Sequence, residues 1–107
     1  MKKTYYGTNA GPGPQIVNIF IEYPLEPGRR PRTRRLLHRS RHSPDGFQWG
    51  YYGSGPADLA LAILWDYTGL EPEPKLYQKF KNDLIAKAGQ QLRIEGGEID
   101  QWLRAQK

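Results

Sequence analysis

Seven arginines and two histidines are concentrated in GRRPRTRRLLHRSRH, residues 28–42, which we call the arginine segment. No acidic residue lies between Glu26 and Asp45. Guanidinium groups bind phosphates and carboxylates through paired N–H donors, and a cluster without acids is not neutralised by its sequence neighbours. The segment therefore predicts a surface for an anionic partner, or alternatively a solvated, mobile basic loop. The candidate ligand-binding arginines are Arg29, Arg30, Arg32, Arg34, Arg35, Arg39 and Arg41.

A second candidate site is the aromatic and glycine-rich stretch WGYYGSGP, residues 49–56. Its glycines would expose backbone N–H groups at the start of a helix, which is a favourable place for an anion. Tyr51 and Tyr52 could stack on a nucleobase there, with Ser54 at the helix start. The alternative, which we favour, is a strand-to-helix junction that the glycines allow to turn and that Pro56 continues into a helix. The stretch has neither the lysine of a phosphate loop nor the context of a dinucleotide fingerprint.

The sequence offers no clear constellation for catalysis. There is no cysteine, and no nucleophile elbow surrounds the serines near His38 and His42. The two histidines lack a nearby carboxylate or thiol, so they do not predict a metal site. Asp66, in the otherwise apolar LWDYTG, is the one acid expected to be partly shielded, although we favour an exposed position in a last helical turn. We predict a non-enzymatic protein with no catalytic residue, metal or cofactor.

The length of 107 residues fits one domain, and the net charge of +5 is unevenly distributed. Residues 1–55 contain nine Lys or Arg against three Asp or Glu, whereas residues 56–107 contain seven against eight. This asymmetry indicates an anionic partner or a device for solubility. The absence of cysteine fits a reducing compartment, and neither a secretory signal nor a membrane-spanning run is visible. We therefore expect a cytoplasmic protein that does not enter the membrane.

Period-2 alternation is strongest in QIVNIFIEY, residues 15–23, where Val17, Ile19, Ile21 and Tyr23 are expected to face the core. The opposite side of this strand, which includes Phe20, is mixed and is expected to be partly covered. Further strands are predicted for KTYYGT, RRLLHRS, FQWGYY and QLRI, the last as an edge strand. The proline-rich PLEPGRRPRT predicts a mobile basic loop at about residues 24–35.

The apolar period then changes to that of helices, which are predicted from Pro56 to Gly69, from Pro74 to Gly89 and from Gly97 onwards. Strands come first and helices follow, an order typical of α+β domains. We predict a small antiparallel sheet of three to four strands followed by two to three helices packed on one face. Residues 1–53 form the strand-rich basic half of this single domain, and residues 54–107 form its helical half.

Three stretches carry a resemblance to a known family: SPDGFQWGYYGSGPADLALAILWDYTG, YQKFKNDLIAKA and RIEGGEIDQWL. Together they resemble DUF6166, a family of small uncharacterised bacterial and phage proteins. The likeness covers most of residues 43–103, whereas the N-terminal part is similar only loosely and EPGRRPRTRR is peculiar to this chain. The resemblance implies a common fold and a connection with phages or mobile elements, and it implies no established activity.

Two binding hypotheses follow from these features. In the first, a phage or mobile-element accessory protein binds nucleic acid or a nucleotide through the arginine segment, with Tyr51 and Tyr52 beside it. In the alternative, the same basic surface binds an acidic host protein, and the protein inhibits a host defence or transcription complex in the manner of an anti-CRISPR protein. The sequence does not indicate an oligomeric state.

Overall fold

The computed structural model describes residues 1–106, in which four antiparallel strands form one sheet and three helices accompany it. The elements are β1 Lys2–Thr8, β2 Asn18–Glu22, β3 Arg32–Arg35, α1 Ser54–Thr68, α2 Pro74–Phe80, β4 Gln91–Glu95 and α3 Gly96–Arg104. A π-helical turn, Lys81–Ile85, continues α2. This architecture confirms the predicted α+β class and the predicted antiparallel sheet.

The sheet has the strand order β3-β2-β1-β4, so that β3 and β4 are its edges. In the register, Tyr5 of β1 is opposite Ile19 of β2 on one side and Ile94 of β4 on the other. Directly opposed residues of an antiparallel pair share a face, and these three are buried against the helices. The prediction that Val17, Ile19 and Ile21 face the core is confirmed, and Tyr23, predicted for the same face, packs against the core while only partly buried.

The other side of the sheet, which we call the open face, is covered much less completely. Its members on β1 and β2 are Lys2, Thr4, Tyr6, Thr8, Asn18, Phe20 and Glu22. Its members on β3 and β4 are Thr33, Arg35, Gln91, Arg93 and Glu95. Of these twelve residues only the small Thr4, in the middle of the sheet, is buried. The helices therefore lie on one face, as the sequence predicts.

Helix α1 is the centre of the core, since ten consecutive residues from Gly55 to Leu64 are buried. Its sequence is apolar on nearly every side, which is typical of a helix that is surrounded by protein. The sheet covers one side, while α2, the π-helical turn and the buried Phe47 and Trp49 cover the rest. Gly69 ends the helix at φ 78°, where its N–H donates to the carbonyl of Trp65.

Two of the predicted strands are wrong in position or kind. FQWGYY contributes only an isolated bridge between Phe47 and Gln15, because Gly50 at φ 89° turns the chain away and binds the carbonyl of Ile85. The strand predicted within RRLLHRS lies earlier, at β3, so residues 32–35 of the expected mobile loop are paired with β2. After β3, the side chain of Leu36 is buried and that of Leu37 is exposed.

The remaining elements agree more closely with the sequence. The QLRI edge strand is confirmed as β4, which pairs with β1 alone. The second helix ends at Ile85, with its last turn widened, rather than at Gly89. The first helix begins at Ser54, two residues before Pro56.

The central position of α1 predicts a large effect of Leu61→Ala. Leu61 is completely buried, so the loss of its side chain should lower the free energy of unfolding by about 2–5 kcal/mol. Leu70→Ala is the matched control, because Leu70 is 72% exposed and should change stability by less than about 0.5 kcal/mol. Chemical denaturation of both variants measures the difference; equal stabilities would contradict the role given to α1.

Candidate functional site

Asp58 fixes the end of the arginine segment to helix α1. Its carboxylate is completely buried and accepts hydrogen bonds from the backbone N–H groups of His42 at 2.9 Å and Ser43 at 3.0 Å. The ring of His38 lies 2.8 Å away, and the N–H of Arg41 is at 3.3 Å from both oxygens. Burial alone would raise the pKa of Asp58, but the hydrogen bonds from His38 and the three N–H groups outweigh it and hold the pKa below its ordinary value.

Sequence reasoning missed this anchor. A carboxylate in the first turns of a helix that is apolar on every side requires several donors, because a buried charge without partners is strongly unfavourable. The position of Asp58 in the sequence therefore indicates that another segment must supply hydrogen-bond donors to it. The donors come from residues 38–43, which the sequence gives no reason to place beside Asp58.

A second carboxylate, that of the partly buried Asp66, holds the opposite end of α1 against the sheet. It accepts hydrogen bonds from the hydroxyl of Tyr5 at 2.5 Å, from Lys3 at 3.2 Å and from Arg34 at 2.7 Å. Burial would raise the pKa of Asp66, but these three donors lower it below its ordinary value. The side chain is 14% exposed, so the expected shielding is confirmed and the exposed position that the sequence favours is wrong.

Three of the seven arginines are neutralised within the protein. Arg29 pairs with Glu26 at 2.9 Å, Arg34 pairs with Asp66, and Arg41 pairs with Glu71. The expectation that sequence neighbours do not neutralise the segment is wrong for Arg29 alone, whose partner Glu26 is three residues away. Two of the carboxylates lie 30 or more residues away along the chain, so the sequence around the arginine segment does not reveal them.

Arg39 has an aromatic partner. Its guanidinium carbon lies 3.8 Å from the centroid of the Trp65 ring, and that of Arg41 is 5.9 Å from the same ring. Such stacking orders a guanidinium group without neutralising its charge. Both side chains are consequently held on the surface of α1, on the helix side of the molecule.

Arg30, Arg32 and Arg35 are exposed, and no carboxylate in residues 1–106 lies within ion-pair distance of them. They lie on strand β3 or just before it. Arg32 is opposite the core residue Ile21 and so points to the helix side, whereas Arg35 is opposite Asn18 on the open face. The arginine segment therefore straddles the edge of the sheet.

The tyrosines of the second candidate site are remote from the stacked arginines. Tyr51 and Tyr52 are 47% and 66% exposed and, with the exposed Ser54, lie at the N-terminus of α1. Trp65, on which Arg39 is stacked, is eleven residues after Ser54 along the helix. At 1.5 Å per residue this is a distance of about 16 Å. The two tyrosines therefore do not lie beside the guanidinium group that is stacked on Trp65.

The glycines at this junction have a structural reason. A Cβ added to Gly55 would lie 2.6 Å from the Cβ of Gln48, which is closer than side chains approach one another. Gly50 has a positive φ that other residues rarely adopt. Helix α1 begins at Ser54, and Gly53, the residue at its N-cap, has no side chain that could cap it.

The open face holds the aromatic residues that sequence reasoning did not select. One row across the four strands consists of Arg35, Asn18, Tyr6 and Arg93, and the next consists of Thr33, Phe20, Thr4 and Glu95. Tyr6 and Phe20 are half-buried and line a shallow depression of about 580 Å³. The sequence does contain a signal for them, since each of two predicted strands has an aromatic residue on the side that faces away from the core. Packing of the core does not explain aromatic residues at such positions.

The histidines serve structural contacts. His38 binds Asp58, and the Nε2 atom of His42 is 2.6 Å from the hydroxyl of Tyr77. Across residues 1–106, no three potential ligands among His, Asp and Glu side chains converge on a point suitable for a metal ion. Of the helices in that part of the chain, none combines the length and the apolar character that crossing a bilayer requires.

The chain belongs to DUF6166, a family of unknown function, whose family model matches residues 12–105. The match includes the arginine segment, α1 and most of the sheet. Searches of curated proteins and of solved structures found no match to this chain. The match to the family model confirms the family that the three sequence stretches indicate.

The contacts of Asp58 predict a pH-dependent effect of Asp58→Asn. The variant should lose roughly 2 kcal/mol or more at pH 7, because buried N–H donors lose their charged acceptor. Since the pKa of Asp58 is lowered in the folded protein, its stabilising effect is complete above the ordinary pKa of the carboxyl and is lost as the pH falls through the folded value.

The measurement is chemical denaturation of the wild type and Asp58→Asn from pH 7 downwards to about pH 3. The difference between the two proteins should shrink as the pH falls. Asp45→Asn, at an exposed position, should change stability by less than about 0.5 kcal/mol at pH 7. A difference between wild type and Asp58→Asn that is constant over this range would show that the carboxylate charge is not what holds the segment.

Proposed function

We propose that the protein is a non-enzymatic domain that binds nucleic acid, with Arg30, Arg32 and Arg35 as its main phosphate contacts. The observation that carries this proposal is the exposure of these three guanidinium groups without a carboxylate partner in residues 1–106. The other cations of the segment are paired with acids or stacked on Trp65. The unpaired three are thus the groups with most to gain from an external anion.

An extended polyanion suits this geometry better than a single nucleotide. Arg32 and Arg35 point to opposite sides of the sheet edge, so they do not converge on one small ligand. A phosphate backbone offers successive charges over several residues of protein surface and can contact both. The surplus of positive charge in residues 1–55 would also accelerate the encounter.

A cytoplasmic location and a role in a phage or mobile element are further parts of the proposal. They are supported by the cysteine-free composition and by the sequence resemblance alone. The alternative of an acidic protein partner draws on the same cations and differs in one respect, since release of counterions from a polyanion gives a characteristic dependence on salt.

This proposal predicts that two triple variants of equal charge behave differently. Arg30→Gln/Arg32→Gln/Arg35→Gln should weaken binding to a labelled oligonucleotide by at least about tenfold. The slope of log affinity against log salt should fall by about 2–3, since each of the three phosphate contacts contributes roughly 0.7–0.9. Fluorescence anisotropy over a range of salt concentrations measures both quantities.

The matched control is Arg29→Gln/Arg39→Gln/Arg41→Gln, which removes the same formal charge from paired or stacked positions. It should bind within about threefold of the wild type. Equal losses in the two variants would mean that general positive charge, rather than the exposed arginines, attracts the ligand. No binding to any oligonucleotide at low salt would refute the proposal and favour the acidic protein partner.

A further inference from the structure

The open face retains aromatic side chains that residues 1–106 cover only in part. On the helix side of the same strands, Tyr5 and Ile19 are fully buried, whereas Tyr6 and Phe20 on the open face are only half-buried. Cross-strand contacts of such rings stabilise the sheet, but the ring surface that stays in water is typical of a site that binds a partner. Two such rings on the central strands therefore suggest a surface that receives a flat ligand.

The register brings these two rings together. Tyr6 is opposite Asn18 and Thr4 is opposite Phe20, so Tyr6 and Phe20 are diagonal neighbours on adjacent strands. Diagonal neighbours in an antiparallel pair are about 7–8 Å apart, within reach of large side chains. The depression of about 580 Å³ lies along them and is open to solvent. Nucleobases are flat, and every base has a π-face that can stack on an aromatic side chain.

Cationic groups flank the aromatic pair on both sides. Arg93 on β4 is directly opposite Tyr6, and Arg35 on β3 is opposite Asn18 in the same row. Three strand spacings of about 4.8 Å separate them, or roughly 14 Å. Arg35 has no carboxylate partner in residues 1–106, and the pair of Arg93 with Glu95 is long, at 3.3 Å, and exposed. Both guanidinium groups are therefore accessible to a phosphate group of a bound ligand.

The acidic residues of this face lie outside the row of Arg35, Tyr6 and Arg93. Glu22 is opposite Lys2 at the start of β1, and Glu95 is opposite Thr4, one row away from Tyr6. A strand of nucleic acid would consequently cross the sheet along the row of Arg35, Asn18, Tyr6 and Arg93. In that position its bases face the rings and its phosphates face the two rims.

We infer that the open face is a base-stacking platform for single-stranded nucleic acid, with Tyr6 and Phe20 as the stacking residues and Arg35 and Arg93 as phosphate contacts. The inference rests on the proposed function and names its ligand. The bases of a duplex are hidden in the stack and are read by an element that enters a groove, whereas all the helices here lie behind the sheet. Unpaired bases can reach a flat sheet surface directly.

The test compares Tyr6→Val/Phe20→Val with the wild type, because valine retains the preference for strands and removes the rings. The probes are fluorescein-labelled oligo-dT and oligo-U of about twelve nucleotides and a duplex of the same length. Wild type should bind either single strand more tightly than the duplex. The variant should bind single strands at least about tenfold more weakly, with an unchanged salt slope, since stacking releases no counterions.

Tyr51→Val/Tyr52→Val is the matched control, because it removes two exposed rings at the N-terminus of α1. It should bind the single strands as the wild type does. Binding of oligo-dT and oligo-U by Tyr6→Val/Phe20→Val with wild-type affinity would overturn the inference while leaving the proposed function intact. Wild-type binding of the duplex that equals or exceeds that of the single strands would also overturn it. No binding of any probe at low salt would refute both.

A second variant tests the platform without altering its rings. Arg93→Gln lies on β4, far along the chain from the arginine segment, and its exposed side chain is not part of the core. It should weaken single-strand binding severalfold and reduce the salt slope by about 0.7, the contribution of one phosphate contact. Lys87→Gln, exposed and outside the sheet, is the control and should leave the slope unchanged. Equal behaviour of the two variants would count against the platform even if Tyr6→Val/Phe20→Val failed to fold.

Discussion

The burial of α1 on every side is the constraint on which the rest of the structure depends. A helix whose residues from Gly55 to Leu64 are all buried needs protein around its whole circumference. In a chain of 107 residues, the sheet supplies one side, and α2, its π-helical extension and the chain around Phe47 and Trp49 supply the rest. As a result, all the helices of residues 1–106 lie on one face of the sheet, and the open face has no helix packed against it.

The same constraint determines where the arginines are held. Asp58 lies inside the buried part of α1 and requires donors, which residues 38–43 provide by folding over it. Arg39 and Arg41 are drawn onto α1 with this segment and meet Trp65 and Glu71. The arginines before this segment lie on β3 or just ahead of it, at the sheet edge. Among them, Arg34 pairs with Asp66 and Arg29 pairs with Glu26.

The sequence predicts much of the fold because several of its signals are local. The alternation in residues 15–23, the glycine that ends α1 and the edge strand QLRI each depend on a few neighbouring residues. FQWGYY misleads because its alternating aromatics are typical of a strand, while the positive φ of Gly50 turns the chain. The ion pairs of Asp66 and Glu71 were not predictable in this way, since they join residues 30 or more positions apart that meet only after folding. Tyr6 and Phe20 belonged to strands that were predicted correctly, but alternation within a strand does not give the register that makes these two rings neighbours.

The central claim is that the uncovered side of the sheet is the binding surface. The most direct measurement is a titration of the isotopically labelled protein with unlabelled oligo-dT, followed through the NMR signals of its aromatic rings and arginine side chains. The account predicts that the rings of Tyr6 and Phe20 and the Nε–H groups of Arg35 and Arg93 shift together with a common affinity. Shifts confined to Tyr51, Tyr52 and the side chains around Trp65, with Tyr6 and Phe20 unchanged, would contradict it.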